Sequence, residues 1–214
     1  MSSKQKPYDA LKRGLDILAS VAGLVVLAPV MVAVAVVVRK NLGSPIIFKQ
    51  DRPGRRGEIF TLYKFRTMKD VDLGRGLVEN EHRLTNFGKG LRATSLDELP
   101  ELWNVLKGDM SIVGPRPLLI QYLDRYTPTQ ARRHEVRPGI TGLAQVSGRN
   151  AIDWPERLDF DVQYVDARSL GLDLNIIIRT VGSVLRRHGV TSQGHAVGAP
   201  FFSSEGEPEC PRAS

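Results

Sequence analysis

The 214-residue chain has a single cysteine, Cys210, in a polar C-terminal stretch. It builds neither an internal disulfide nor a cysteine-based metal site. The chain also lacks a GxxxxGK[ST] loop and a GxGxxG turn, the two common phosphate-cradling fingerprints of nucleotide-binding folds. No zinc-finger spacing, RNA-binding aromatic signature or evident helix-turn-helix is present, so nucleic acid has no recognisable reader. No internal repeat is found. Acid is in shorter supply than base: 23 Asp and Glu against 30 Lys and Arg, a net charge of +7. That balance favours anionic partners, either phosphates or an anionic membrane surface. The length suits one domain with at most an appendage, and it can bury a sizeable core.

Charge vanishes between Ile17 and Val38, "ILASVAGLVVLAPVMVAVAVVV". About 22 residues would reach about 33 Å as a helix, enough to span a bilayer core. The run is too long for a signal peptide, and cations follow it directly. A buried soluble helix of this length and composition is rare. Lys12 and Arg13 precede the run, and Arg39 and Lys40 follow it. A spanning helix usually has asymmetric flanks, whereas both of these look cytoplasmic. Pro29, beside Ala28 near the middle, removes a backbone bond and can bend the helix. Two topologies stay open on these residues alone, a plain span and a re-entrant helix-break-helix. Asp16 is spaced to pair with Arg13 on one helix face.

The polar remainder reads as α+β: a helix-rich domain with short strands. Ile46–Phe48, the turn formers "DRPGRRG" and the β-rich "EIFTLYKFRTM" predict a hairpin with a basic tip. Lys64 and Arg66, two apart, should share a strand face, either solvated or facing an anion. Val71–Leu84 reads as a flexible loop. "TSLDELPELW" (Thr94–Trp103) admits two registers. Ser95 as N-cap with Glu98 three residues on would be a capping box, but Pro100 then falls inside the helix, where its ring clashes. A start at Pro100 instead leaves Asp97 and Glu98 in the entering loop. Leu96, Leu99, Trp103 and Leu106 recur at helical spacing and predict an inward face. Ser111–Val113 reads as a short buried strand, and "GPRP" (Gly114–Pro117) as a rigid loop that offers Arg116 either to a phosphate or to a structural acid. "RPGITGLAQVSGRN" (Arg137–Asn150) implies tight turns. Trp154 and Tyr164 are candidate packing residues. Leu170–Arg187 is amphipathic with a basic end, suited to core packing or to a membrane interface. The last dozen residues read as a tail.

In order, "KRGLDILAS…LAPVM", "IIFKQDRPGRRGEIFTLYKFRTM", "TNFGKGLRATSLDELPELWNVLKGDMSIVGPRPLL" and "VRPGITGLAQVSGRNAI" closely resemble the bacterial sugar transferases known as small monotopic phosphoglycosyl transferases. The resemblance runs from Lys12 to His195. "HGVTSQGHAV" and Phe201 look most like the transferases for bacillosamine-type diacetamido sugars. The resemblance implies transfer of a sugar-1-phosphate from a UDP-sugar to polyprenol phosphate, with release of UMP, at the cytoplasmic face of the bacterial inner membrane. It implies Asp97 as the residue that becomes a covalent phosphosugar adduct, and Glu98 as a holder of Mg2+. Arg92 and Arg116 are then assigned as phosphate clamps, with Lys64, Arg66 and Arg149 as further UDP-sugar contacts. An Asp near a helix N-terminus is expected to stay ionised. The family's membrane helix re-enters at a Ser-Pro break; this chain has Ala28-Pro29, and re-entry is the expected topology. The implied layout is a membrane helix-break-helix over residues 1–40, a catalytic domain over 41–200, interfacial amphipathic helices, and a tail over 201–214. Anionic lipids join the substrates as partners; a homodimer is admitted, and nucleic acid has no role. A membrane-anchored Mg2+-dependent phosphohydrolase and a non-catalytic membrane scaffold remain the rival classes.

Overall fold

The computed structural model describes residues 8–72, 80–148 and 153–185. Arg149, the stretch from Arg186 to Ala196, Phe201 and the 201–214 tail lie outside the described residues.

The chain opens with two helices, α1 (Tyr8–Val26) and α2 (Ala28–Leu42), bent by 62° at Leu27. Pro29 sits in the first turn of α2, where a missing N–H costs least. The bonds on either side survive: Leu27 N donates to Gly23 O and Met31 N to Leu27 O. Among the described residues no single helix is long and apolar enough to cross a membrane, but this bent pair passes the test together.

Helix α1 is amphipathic in an unusual sense. Its inward face is polar: Tyr8, Asp9, Lys12, Arg13, Asp16 and Ser20. Its outward face is apolar, with Leu18 and Val25 each 69% exposed. The polar face docks on the rest of the chain. Asp9 pairs with Arg168 through two bonds of 2.8 and 2.9 Å. Arg13 donates to Val105 O and Leu106 O, carbonyls in the last turn of a later helix. Asp16 accepts from the backbone of Ile112 at 3.0 Å. The expected Arg13–Asp16 pair is therefore not made, because each residue is engaged by backbone across the interface. Asp173 is the hub, accepting from Tyr8 (2.7 Å), Lys12 (2.5 Å) and Tyr164 (2.8 Å).

Strands β1 (Ile47–Pro53) and β2 (Ile59–Phe65) form the expected antiparallel hairpin, closed by the basic turn of Arg55 and Arg56. The stretch predicted as loop becomes helical at α3 (Asn80–Arg83), and Leu84, bridged to Met68, is buried. Helix α4 (Asn86–Ala93) follows, capped by Thr85. A 3-10 turn (Leu96–Glu98) leads into α5 (Glu101–Lys107), which ends at Gly108 with φ +98°.

Strand β3 (Ser111–Val113) pairs in parallel with β4 (Gly139–Thr141). Between them lie a 3-10 segment (Ile120–Arg125) and the short α6 (Pro128–Ala131). A Cβ on Gly139 or Gly142 would strike the Gly114 backbone, so the "GPRP" and "RPGITG" segments pack main chain on main chain. Helices α7 (Leu143–Ser147), α8 (Trp154–Ala167) and α9 (Leu170–Leu185) complete the fold. Tyr164 is buried as expected, and Trp154 packs edge-on to Tyr122 at 5.6 Å. Helix α9 turns Asp173, Ile176 and Thr180 inward and leaves Leu174, Ile178 and Val181 exposed. The fold is thus α+β, helix-rich with short strands.

Asp173→Ala should cost about 3–5 kcal/mol, because it strands the Lys12 ammonium in a buried site. Asp173→Asn should cost less, since an amide oxygen still accepts from Tyr8 or Tyr164. Chemical unfolding of the full chain in detergent measures both. Small and equal losses would show that α1 is held by its other contacts.

Candidate active site

Three carboxylates and three cations meet where β2, the 3-10 turn, α5 and the "GPRP" loop converge. Ser95 has φ +55° and makes no capping bond. That left-handed backbone, uncommon for a residue with a Cβ, rules out the capping box, whose N-cap must be extended. The chain instead makes a tight turn at Ser95, and the helix begins after Pro100. Asp97 and Glu98 consequently occupy a separate turn with their side chains facing the cluster. Asp97 is only 7% exposed.

Lys64, on β2, places its ammonium 2.6 Å from Glu98 Oε1 and 2.9 Å from Glu101 Oε1. Arg116 reaches the same Glu98 oxygen from the "GPRP" loop at 2.8 Å. The loop holds its shape because Gly114 N donates to Thr141 O, Gly139 N donates to Pro115 O, and Arg133 binds Arg116 O at 2.6 Å. Arg133 is itself clamped to the buried Asp161 of α8 at 2.8 Å. Arg92, at the end of α4, donates to Thr67 Oγ1 at 3.0 Å. The distance between β2 and α5 is set by Asn104, fully buried, whose side chain accepts from Tyr63 N and donates to Thr61 O along the β2 edge.

The electrostatics sort the three acids. Burial would raise Glu98, but Lys64 and Arg116 outweigh it and hold Glu98 far below the usual carboxylate range. Asp97 is pushed up to about 6, first by burial and then by Glu98; Lys64, Arg92 and Arg116 restrain the rise. The sequence expectation of a comfortably ionised Asp97 is corrected in degree: desolvation outweighs the nearby helix end. Glu101 rises to about 7 by burial, only partly offset by Lys64. Burial works against the Lys64 charge, yet Glu101 and Glu98 raise its pKa.

Of the residues proposed from sequence, Lys64, Arg92, Asp97, Glu98 and Arg116 come together. Arg66 does not join them. It caps the C-terminus of α2 through Leu42 O and Ser44 O (3.1 Å) and pairs with Asp70 (3.0 Å). Strand β2 ends at Phe65, so the alternation that would place Arg66 beside Lys64 stops one residue short. The inward face of α5 is also corrected: Trp103 is 51% exposed, while Glu101, Leu102, Asn104 and Val105 are buried. Counting the helix from Leu96 instead of Glu101 put the stripe out of phase. Glu101 went unnoticed for the same reason; Glu98 in the 3-10 turn and Glu101 at the start of α5 are brought to Lys64 together only by the fold.

Among the described residues no group of three or more metal-ligating side chains is assembled to hold an ion.

The bacterial sugar transferase model matches residues 7–187. The chain belongs to the bacterial sugar transferase family. It is 51% identical over 195 residues to the uncharacterized sugar transferase EpsL of Bacillus subtilis, covering 91% of this chain and 96% of that one. It is 40% identical over 202 residues to an undecaprenyl-phosphate galactose phosphotransferase of Salmonella typhimurium, covering 84% of this chain and 41% of that longer protein. It is 40% identical over 188 residues to a UDP-glucose:undecaprenyl-phosphate glucose-1-phosphate transferase of Caulobacter vibrioides, covering 83% and 70% respectively. The cluster thus lies inside the region this sugar transferase shares with its family.

In this sugar transferase Lys64→Met should destabilise by about 3–5 kcal/mol, because Glu101 loses its only charged neighbour at ion-pair distance among the described residues. Glu101→Gln in the same chain should return much of that loss, with a coupling of about 1–3 kcal/mol in a double-mutant cycle. Strictly additive losses would mean that Lys64 and Glu101 do not share a charge balance.

Proposed function

We propose that this chain transfers a sugar-1-phosphate from a UDP-sugar to undecaprenyl phosphate at the cytoplasmic face of the bacterial inner membrane, releasing UMP. One observation carries the reading: Asp97 is buried beside Glu98 with Lys64, Arg92 and Arg116 as its charge neighbours. A carboxylate becomes a usable nucleophile when its electrophile is held and neutralised. Three cations around one acid supply that field for a diphosphate.

An Asp97 oxygen attacks the phosphorus that bears the sugar. A new O–P bond forms as the bond to the bridging oxygen breaks, and UMP leaves with the electron pair. An oxygen of undecaprenyl phosphate then attacks the same phosphorus and returns Asp97 as a carboxylate. Arg92 and Arg116 bind phosphoryl oxygens, and Lys64 holds Glu98 in place. Mg2+, when bound, would offset the charge of the diphosphate. Glu98 would hold it: Lys64 and Arg116 both use its Oε1, and among the described residues no hydrogen bond or ion pair uses Oε2. The relatives named above for a sugar are named for galactose and glucose, so UDP-galactose, UDP-glucose and a UDP-diacetamido sugar form the substrate panel. The apolar outward faces of α1, α2 and α9 support a monotopic seat: α1 and α2 enter and leave by one leaflet, and α9 lies in the interface.

Cysteines placed at either end of the α1–α2 pair should resist an impermeant thiol reagent added to intact cells. Labelling at one end alone would mean that the pair spans. Incubated with labelled UDP-sugar and Mg2+ but no lipid, the wild type should retain label on Asp97 and release UMP. Asp97→Asn should fold, retain no label and release none. A lipid-independent, continuous release of UMP by the wild type would favour a hydrolase.

A further inference from the structure

The face of the hairpin that carries Lys64 leads to a second, differently placed cation. The register pairs Lys64 with Phe48, Leu62 with Gln50 and Phe60 with Arg52. Alternate residues of a strand share a face, so Gln50 and Arg52 stand on the same side of the hairpin as Lys64. Arg52 lies four residues from Phe48, about 14 Å along the strand. It leans on the loop of Arg116: one guanidinium nitrogen donates to Pro117 O at 3.3 Å, and the other to Gln50 Oε1 at 2.5 Å.

Three features of Arg52 are unexplained by that tie. Its Nε is buried and meets no acceptor among the described residues. No carboxylate among the described residues lies within ion-pair distance of it. The charged and titratable groups that act on it are Arg116, Glu101, Tyr122 and Tyr126; burial, and then Arg116, lowers its pKa to about 10. Two guanidiniums thus flank Pro117. Arg116 is committed to Glu98 at one nitrogen, with its side chain 44% exposed, and Arg52 has no counter-ion among the described residues. A half-buried cation with an unmet N–H beside a like charge is costly. A phosphate, with several acceptor oxygens, would meet both guanidiniums at once.

We propose that Arg52 and Arg116 together bind the phosphate that departs with the nucleotide, so that the UDP-sugar lies along the hairpin with its sugar phosphate at Asp97 and its nucleotide end at Arg52. This rests on the UDP-sugar reading above. When the bond from the sugar-bearing phosphorus to the bridging oxygen breaks, that oxygen stays on the departing phosphate and takes the electron pair. The extra negative charge develops between the two arginines, and no proton is needed. Gln50, which holds one nitrogen of Arg52, is a positioning residue.

The test uses the full chain in lipid nanodiscs, with UMP itself as the probe. Arg52→Gln should weaken UMP binding, read by titration calorimetry and by product inhibition, by tenfold or more. Arg52→Lys should recover part of that loss. The KM for UDP-sugar should rise while the KM for undecaprenyl phosphate stays constant. Gln50→Ala, which keeps the charge but frees it, should weaken UMP binding by a smaller factor and serves if Arg52→Gln does not fold. Unchanged UMP affinity in folded Arg52→Gln, or in Gln50→Ala and Arg52→Lys together, overturns the proposal and leaves Arg52 as a tie between hairpin and loop. The two readings fail separately. A wild type that binds UMP through Arg52 but moves no sugar phosphate to lipid would refute the transferase reaction alone. An active wild type whose Arg52→Gln variant binds UMP normally would refute this assignment alone.

Discussion

Helix α1 carries acids and bases on the same turns that begin an apolar segment, and those charges must be met by the rest of the chain. That requirement shapes the molecule. A charged group at the edge of a hydrocarbon phase is expensive unless paired, and Asp9, Lys12, Arg13 and Asp16 each find a partner on a different element: Arg168, Asp173, the last turn of α5, and β3. Four anchor points along one helix fix its position and rotation against the domain. Because Arg13 grips α5 and Asn104 of α5 grips the β2 edge, the placement of Lys64 relative to Glu101 is tied to α1 through two links. The N-terminal helices and the candidate site form one mechanical unit.

Within that unit the acids and bases are matched in number but not in strength. Glu98 receives two cations at one oxygen and remains firmly ionised. Glu101 shares Lys64 from inside the protein and sits near neutrality. Among the described residues no ion pair touches Asp97, yet it lies in the combined field of Lys64, Arg92 and Arg116. A nucleophile bonded directly to a cation would be poorly reactive, and one with no cation nearby would be protonated in so dry a place. As the proposed nucleophile, Asp97 would lie between these limits, because the direct contacts go to Glu98.

The parts legible from sequence were those fixed by local chemistry. The hairpin followed from turn formers between β-rich runs. The break in the apolar run followed from Pro29. The cluster members Asp97, Glu98, Arg92 and Arg116 came from the family motifs. What escaped depended on three-dimensional phase. Arg66 looked equivalent to Lys64 until the strand ended at Phe65. Trp103 looked buried because the helix was counted from the wrong residue, and Glu101 was overlooked by the same error. The Arg13–Asp16 pair was reasonable for an isolated helix, but the tertiary partners Val105, Leu106 and Ile112 cannot be seen from spacing.

The two apolar surfaces bear on why the proposed two-step reaction would suit this architecture. Outward residues of α1 and α2, together with Leu174, Ile178 and Val181 of α9, are apolar and exposed. The cations that face Asp97 sit on β2, α4 and the "GPRP" loop, which are carried by the polar body of the chain. A water-soluble nucleotide-sugar and a lipid-borne phosphate would therefore approach from different media. A single-step transfer would require both phosphates, each multiply charged, to crowd into one field of three cations. In the proposed reaction, holding the sugar phosphate on Asp97 would remove the nucleotide's charge before the second phosphate arrives, so that the same cations could serve each partner in turn.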